Sequence, residues 1–252
     1  LTAAVGGALW WWMTQPKRQY AKAYKDEILP KIARLFGDLT YDSSGRIDMD
    51  MMKAFKIVPS HDRYEVDDYF RGTYRGAGLQ FSEIKLSERR KSGKRTTYVT
   101  VFKGLAILIR LPREKFAGHT VLVGNSSSMV QWFKKKSLGL QRADLVDTAF
   151  EKEYDVYTDD QVEARYLIHP AMIEKIKAIR DSYDADGVMA AYLKDALLIL
   201  MKSDKNHFEP AGIDVPATEP TTLVSMKHEV EQVLNLVDLM EQYDKDAAHK
   251  AA

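Results

Sequence analysis

Residues 96–111 read TTYVTVFKGLAILIRL. From Val99 to Leu111 the run is apolar nearly throughout and rich in β-branched side chains. A strand with one wet face alternates apolar and polar residues, whereas a strand covered on both faces does not. The run therefore belongs at the centre of a sheet. Just upstream, KSGK at Lys91 to Lys94 offers a hairpin turn with Gly93 at a position that tolerates positive φ. A tight turn joining two strands makes that part of the sheet antiparallel.

Period-two patterning extends outward from about Asp62 to Gly124, through YFRGTYRG, LQFSEIKLSERR and HTVLVGN. Another strand is expected over Tyr154 to Tyr157. Before the sheet, Lys17 to Phe36 carries Tyr20, Tyr24, Ile28, Ile32 and Leu35 at helical spacing. Pro30 should kink or split that helix. Arg46 to Ile57 reads as a second helix, closed by Pro59. DQVEARYLIHPAMIEKIKAIRDSY is a helix interrupted at Pro170. GVMAAYLKDALLILMKSD is ambiguous: Val188 to Leu200 fits a helix, and a hairpin turning at Lys194-Asp195 fits equally. The last helix, about Thr221 to Tyr243, carries a heptad seam of Leu223, Met226, Val230, Val233, Val237 and Met240. Under three heptads favour docking within the chain over a coiled coil, with a self-assembling scaffold as the other use of the seam. The expected fold class is α+β: a mainly antiparallel sheet with kinked N-terminal helices, a central helix after Asp160, and a C-terminal helix packed on it.

The chain opens LTAAVGGALWWWMTQPKR. Leu1 to Met13 would span about 20 Å as a helix, short of the roughly 30 Å of a bilayer core. Trp10, Trp11 and Trp12 at the polar end, followed by Lys17 and Arg18, match the cytoplasmic boundary of a spanning helix. We expect residues 1–15 to be the end of a transmembrane or membrane-interface segment, 16–60 a helical connector, and 61–252 an α+β cytoplasmic domain.

The net charge of +1 conceals an asymmetry: +13 through Arg142 and −12 from Ala143 onward. Halves this different either pair with each other or set up a field that faces an anionic surface. Arg89, Arg90, Lys91, Lys94 and Arg95 crowd one hairpin tip, and Lys134, Lys135 and Lys136 follow Trp132 and Phe133. Aromatics beside a lysine triplet suit an anionic bilayer surface. With no nucleic-acid motif present, we assign Arg89, Arg90, Lys91 and Lys134–Lys136 to anionic-surface contact and expect no nucleic-acid partner.

Catalytic signals are weak. Cysteine is absent, which excludes disulfides and thiolate metal sites. No two histidines stand at i, i+4, and GNSSS at Gly124 to Ser128 lacks the Lys-Ser/Thr of a phosphate loop. Asp159, Asp160 and Glu163, with His169 nearby, form the one acidic string that suits a metal-dependent or hydrolytic enzyme. The same spacing fits a capping box of Asp160 and Glu163, in which each side chain satisfies a backbone N–H at the helix start, and His169 before Pro170 fits a helix start too. Asp67 and Asp68 read as a structural salt bridge with Arg71. No catalytic residue, cofactor or metal ligand is assigned, and the oligomeric state is open.

YKDEILPKI, DDYFRG, FSEIKL, VFKGL, FEKEYDVYTDDQVEARYLIHPAMIEKI and HFEP together resemble a bacterial family known as domain of unknown function 3137, from roughly Tyr24 to Pro210. The resemblance implies a membrane protein with hydrophobic N-terminal segments before a cytoplasmic domain, at the bacterial inner membrane. It implies a LemA-type membrane protein as partner and no established activity. Family members tend to carry Asp-Gly where this chain has Asp195-Ala196, which favours the hairpin while removing the residue that best takes positive φ. The function expected is a membrane-tethered interaction or scaffold module, with a hydrolase at the acidic string as the alternative.

Overall fold

A computed structural model describes residues 19–113, 116–124, 133, 139–143, 150–209 and 220–250. Residues 1–15, with Trp10, Trp11 and Trp12, and also Lys17, Arg18 and Lys134–Lys136, lie outside the described residues. The fold is α+β, with nine strands in one sheet among the described residues. The sheet order is β1-β2-β3-β4-β9-β8-β5-β7-β6, and every neighbouring pair is antiparallel. The strands are β1 (Thr40–Asp42), β2 (Arg63–Tyr74), β3 (Ala77–Ser92), β4 (Arg95–Arg110), β5 (Phe116–Gly124), β6 (Gln141–Arg142), β7 (Tyr154–Thr158), β8 (Gly187–Lys194) and β9 (Ala196–Lys202).

β4 lies inside the sheet between β3 and β9, with Leu105 to Ile109 buried throughout. Alternate side chains go to different cores. Leu105, Ile107 and Ile109 join a cluster with Ile173, Ile176, Val233 and Val237 from the helices. Ala106 and Leu108 join Ile47, Met52, Phe55 and Ile57 on the opposite face. Two covered faces explain the unbroken apolar run; each such Leu or Ile contributes about 1.5–3 kcal/mol by leaving water. Gly104 begins the buried part at φ +147°, where a Cβ would lie 1.9 Å from the Met201 carbonyl oxygen.

The helices are α1 (Leu29–Arg34), α2 (Met49–Ala54), α3 (Phe150–Glu153), α4 (Gln161–Leu167), α5 (Pro170–Ser182) and α6 (Pro220–Lys250). Residues 19–27 are helical too, and Pro30 sits in the first turn of α1 just past the break at Ile28. α2 is shorter than its pattern predicts: Asp48 caps it by accepting from the Met51 N–H, and Lys56 at φ +59° ends it. Residues 187–202 form a hairpin. The positive φ falls on Lys194, at +54°, while Ala196 is already in β9 opposite Leu193. Glycine is therefore not needed at Ala196. Met226, Val230, Val233, Val237 and Met240 of α6 are all buried in the helical-side core, so the heptad seam is used inside the chain. Among the described residues no helix is long and apolar enough to cross a membrane.

Candidate functional site

The acidic string is structural. Asp160 accepts from the Val162 and Glu163 N–H groups at 3.0 and 2.9 Å, capping α4. The reciprocal half of the expected box is absent. The Asp160 N–H donates to Thr158 Oγ1, and Glu163 turns instead to β5, accepting from the N–H groups of Ala117 and Gly118 at 2.8 Å each. Asp159 accepts from the His119 N–H at 2.6 Å. Asp159 and Glu163 clamp an irregular stretch of β5, where the register with β8 shifts between Phe116 and His119. A Cβ on Gly118 would come within 2.6 Å of Asp159 Oδ1 and 2.9 Å of Asp160 Cβ, so the clamp requires glycine there. His169 is the residue before α5, with extended backbone and no side-chain cap. An acid–base or metal role would need carboxylate oxygens aimed at a ligand, whereas Asp159 Oδ1, Asp160 Oδ1 and both Glu163 oxygens accept from backbone N–H groups.

The basic residues make a defined object. β2 pairs with β3 only as far as Ser87, and β9 pairs with β4 only from Gly104 inward. Beyond those points, among the described residues, β3 and β4 pair only with each other, from Glu88 opposite Val99 to Ser92 opposite Arg95. Five further residues of strand carry this two-stranded arm about 17 Å past the sheet. Side chains alternate between faces. Arg90 and Arg95 therefore share one face, Arg89 and Lys91 the other, and Lys94 occupies the turn beside Gly93 at φ +59°. Residues 89–98 carry these five cations and no acid, and all are exposed. The Arg63 guanidinium lies 3.3 Å from the Tyr98 ring centroid, a cation–π contact at the base of the arm. The other predicted basic patch fares differently. Phe133 is 4% exposed, with its ring 5.0 Å from Tyr157, so it belongs to the core and is not available to a bilayer. Trp132 and the lysine triplet lie outside the described residues.

A third cluster escaped the sequence reading. Asp67 and Asp68 do not pair with Arg71. Lys25 reaches both, at 2.9 and 2.8 Å, and Glu209 at 2.7 Å. Asp68 sits at φ +51° in a bulge of β2, is fully buried, and also accepts from the Tyr41 hydroxyl. Burial lifts its pKa to about 6 despite the Lys25 ammonium. For Lys25, burial lowers the pKa, but hydrogen bonds to Asp68 and Glu209 outweigh it and leave the ammonium more basic than usual. The carboxylate oxygens of Asp67, Asp68 and Glu209 lie within 4.8 Å of one another, a grouping that would suit a cation, and Lys25 already supplies one.

Next to this cluster a groove of about 610 Å³ is lined by Glu65, Asp67, Glu83, Lys85, Lys103 and Lys205. Glu83 is 8% exposed and accepts from the His207 N–H at 2.6 Å. Burial raises its pKa to about 7. Glu229 on α6 is 9% exposed, and burial together with the Glu83 charge raises it to about 8. Among the described residues its Oε2 has no hydrogen-bond partner.

A family model described as "Protein of unknown function (DUF3137)" matches residues 100–242. No curated protein matches. Among solved structures, the crystal structure of the mycobacterial trehalose monomycolate transport factor A, TtfA, is similar at 12% identity and a TM-score of 0.43, covering 82% of this chain and 90% of that one.

Proposed function

The chain belongs to the DUF3137 family of proteins of unknown function, and from that premise we propose that it is a non-catalytic interaction module held against the inner face of a bacterial membrane. The observation that carries this reading is one of direction. At the C-terminal end of α1, Leu35 to Asp38 line a groove with Thr73, Tyr74 and Arg75, at the far end of β2. Ten residues upstream of Leu35, Lys25 reaches Asp67 and Asp68, midway along β2. Ten helical residues rise about 15 Å, comparable with the five or six strand steps from Asp67 and Asp68 to Thr73 at about 3.4 Å each. The helix therefore runs parallel to β2. Followed backward, the chain heads toward Arg63, the end of the sheet from which the basic arm projects.

In this reading the apolar leader, with its Trp–Lys/Arg boundary, belongs at the same pole as the five-cation arm. A cation near an anionic bilayer gains about 1 kcal/mol, so an arm of five held there by a tether adds substantial attraction. The opposite pole, around Leu35, points away from the membrane and is open to a partner protein. The family resemblance suggests a LemA-type membrane protein for that role.

Co-sedimentation with vesicles of phosphatidylglycerol and phosphatidylcholine tests the arm. The triple reversal Arg89→Glu, Arg90→Glu, Lys91→Glu should weaken binding to the anionic vesicles. Undiminished binding to anionic vesicles would remove the arm from the account.

A further inference from the structure

We infer that the outer edge of β4, at Thr96, Tyr98 and Thr100, accepts an added strand from a partner protein: an extended segment with β-branched residues at its centre and an acidic residue at each end. The inference rests on the interaction-module reading and adds to it a second docking edge, on the arm itself and distinct from the pole around Leu35. In an antiparallel ladder, alternate residues turn their N–H and C=O groups outward. On β3 the outward set is fixed by two bonds: the Asp62 N–H donates to the Ser87 carbonyl at 2.9 Å, and the Arg89 N–H donates to Asp62 Oδ2 at 2.6 Å. Their cross-strand partners are Thr100 and Tyr98, and Thr96 faces Lys91 one step farther out. These three residues therefore turn their backbone groups away from β3. Among the described residues no strand pairs with that side of β4 before Gly104.

The stretch is built to pair. Arg95 to Phe102 reads RTTYVTVF, with high strand propensity and no proline. Exposed edges of this kind are normally blunted, because they recruit other chains. Along β4 the cations stand only at the ends, Arg95 outward and Lys103 inward, with Thr, Tyr and Val between. Opposite charges facing each other across strands stabilise pairing, and like charges oppose it. An incoming strand therefore matches best with acids at its ends and Val or Thr within. A second copy of the arm matches poorly, since antiparallel pairing centred on Tyr98 sets the cationic turn of each copy beside Lys103 of the other.

The test uses the full chain in detergent micelles and the synthetic peptide EVTVTVE, with amide hydrogen exchange as the readout. Saturating peptide should slow exchange at Thr96, Tyr98 and Thr100, leaving Thr97 and Val99, already bonded to β3, little changed. Tyr98→Pro removes one outward donor without touching the β3 ladder and should weaken peptide binding about tenfold; Thr96→Pro serves if that variant loses protection at Thr97 and Val99. The peptide KVTVTVK should bind at least about tenfold more weakly. Unchanged exchange at the three outward amides, equal binding by a heptaglutamate peptide, or light scattering that shows dimers joined through the arm would each overturn the inference. Tyr98→Pro should keep its affinity for anionic vesicles, so strand addition and membrane apposition fail separately.

Discussion

Glu83→Gln is predicted to stabilise the protein, by an amount that grows as pH rises from about 5 to about 7. The carboxyl is buried at the edge of the helical-side core, with the His207 N–H as its named donor. Burial raises its pKa from 4.5 to about 7. A carboxyl raised on folding binds its proton more tightly in the native state, so it contributes stability below the unfolded value that is lost as pH rises through the folded one. One pKa unit corresponds to about 1.4 kcal/mol. Glutamine keeps the oxygen that accepts from His207 and never ionises. The variant's advantage over wild type should be under about 1 kcal/mol at pH 5 and about 3 kcal/mol at pH 8. For a chain of this size that is a rise in Tm of less than about 4 °C at pH 5 and about 6–12 °C at pH 8. Circular dichroism melts of both proteins at the two pH values measure it. A gain at pH 8 no larger than at pH 5, or a loss there, would show that the Glu83 carboxylate is stabilised by its surroundings and refute the reasoning.

Glu163→Ala leaves the Ala117 and Gly118 N–H groups without their acceptor and should cost about 2 kcal/mol; Asp160→Ala removes a cap worth about 1 kcal/mol. Thermal melts check both, and an unchanged Tm in Glu163→Ala would reopen the acidic string as a functional site. Lys25→Met strands the buried Asp68 carboxylate and should cost about 3–5 kcal/mol, with Asp68→Asn added in the same chain restoring most of it; urea unfolding that shows no restoration would place the loss elsewhere. Charge reversal at Lys134, Lys135 and Lys136 should weaken binding to anionic vesicles in co-sedimentation, and binding at the wild-type level would remove that triplet from the membrane contact.

Local signals carried much of the fold. The doubly covered run at Leu105–Ile109, the Gly93 turn, the break near Pro30 and the α6 seam each follow from neighbours in sequence. The 188–202 segment was ambiguous because its apolar residues satisfy both periods. What decided it was pairing with β4 and β5, strands some 70–90 residues away in the chain, which no local pattern encodes. Half of the Asp160–Glu163 box was legible for the same local reason. Glu163 left it because a long-range donor pair, Ala117 and Gly118, needed an acceptor more than the Asp160 N–H did, which Thr158 already served. The basic tip was visible as a cluster, but not as an arm, since its projection depends on where β2 and β9 stop pairing. Lys25 with Asp67, Asp68 and Glu209 was invisible, its members lying up to 184 positions apart.

The central claim is that the arm and the tryptophan-flanked leader face the same bilayer. The chain has no cysteine, so Ser92→Cys at the arm tip and Leu35→Cys at the opposite pole, where the native side chain is 70% exposed, each accept a single nitroxide. Electron paramagnetic resonance on the full chain in phosphatidylglycerol nanodiscs, with a water-soluble nickel chelate as relaxant, reads their depth. We predict the label at residue 92 shielded at headgroup level and the label at residue 35 fully accessible to nickel. Equal accessibility at both, or shielding at residue 35 alone, would contradict the account.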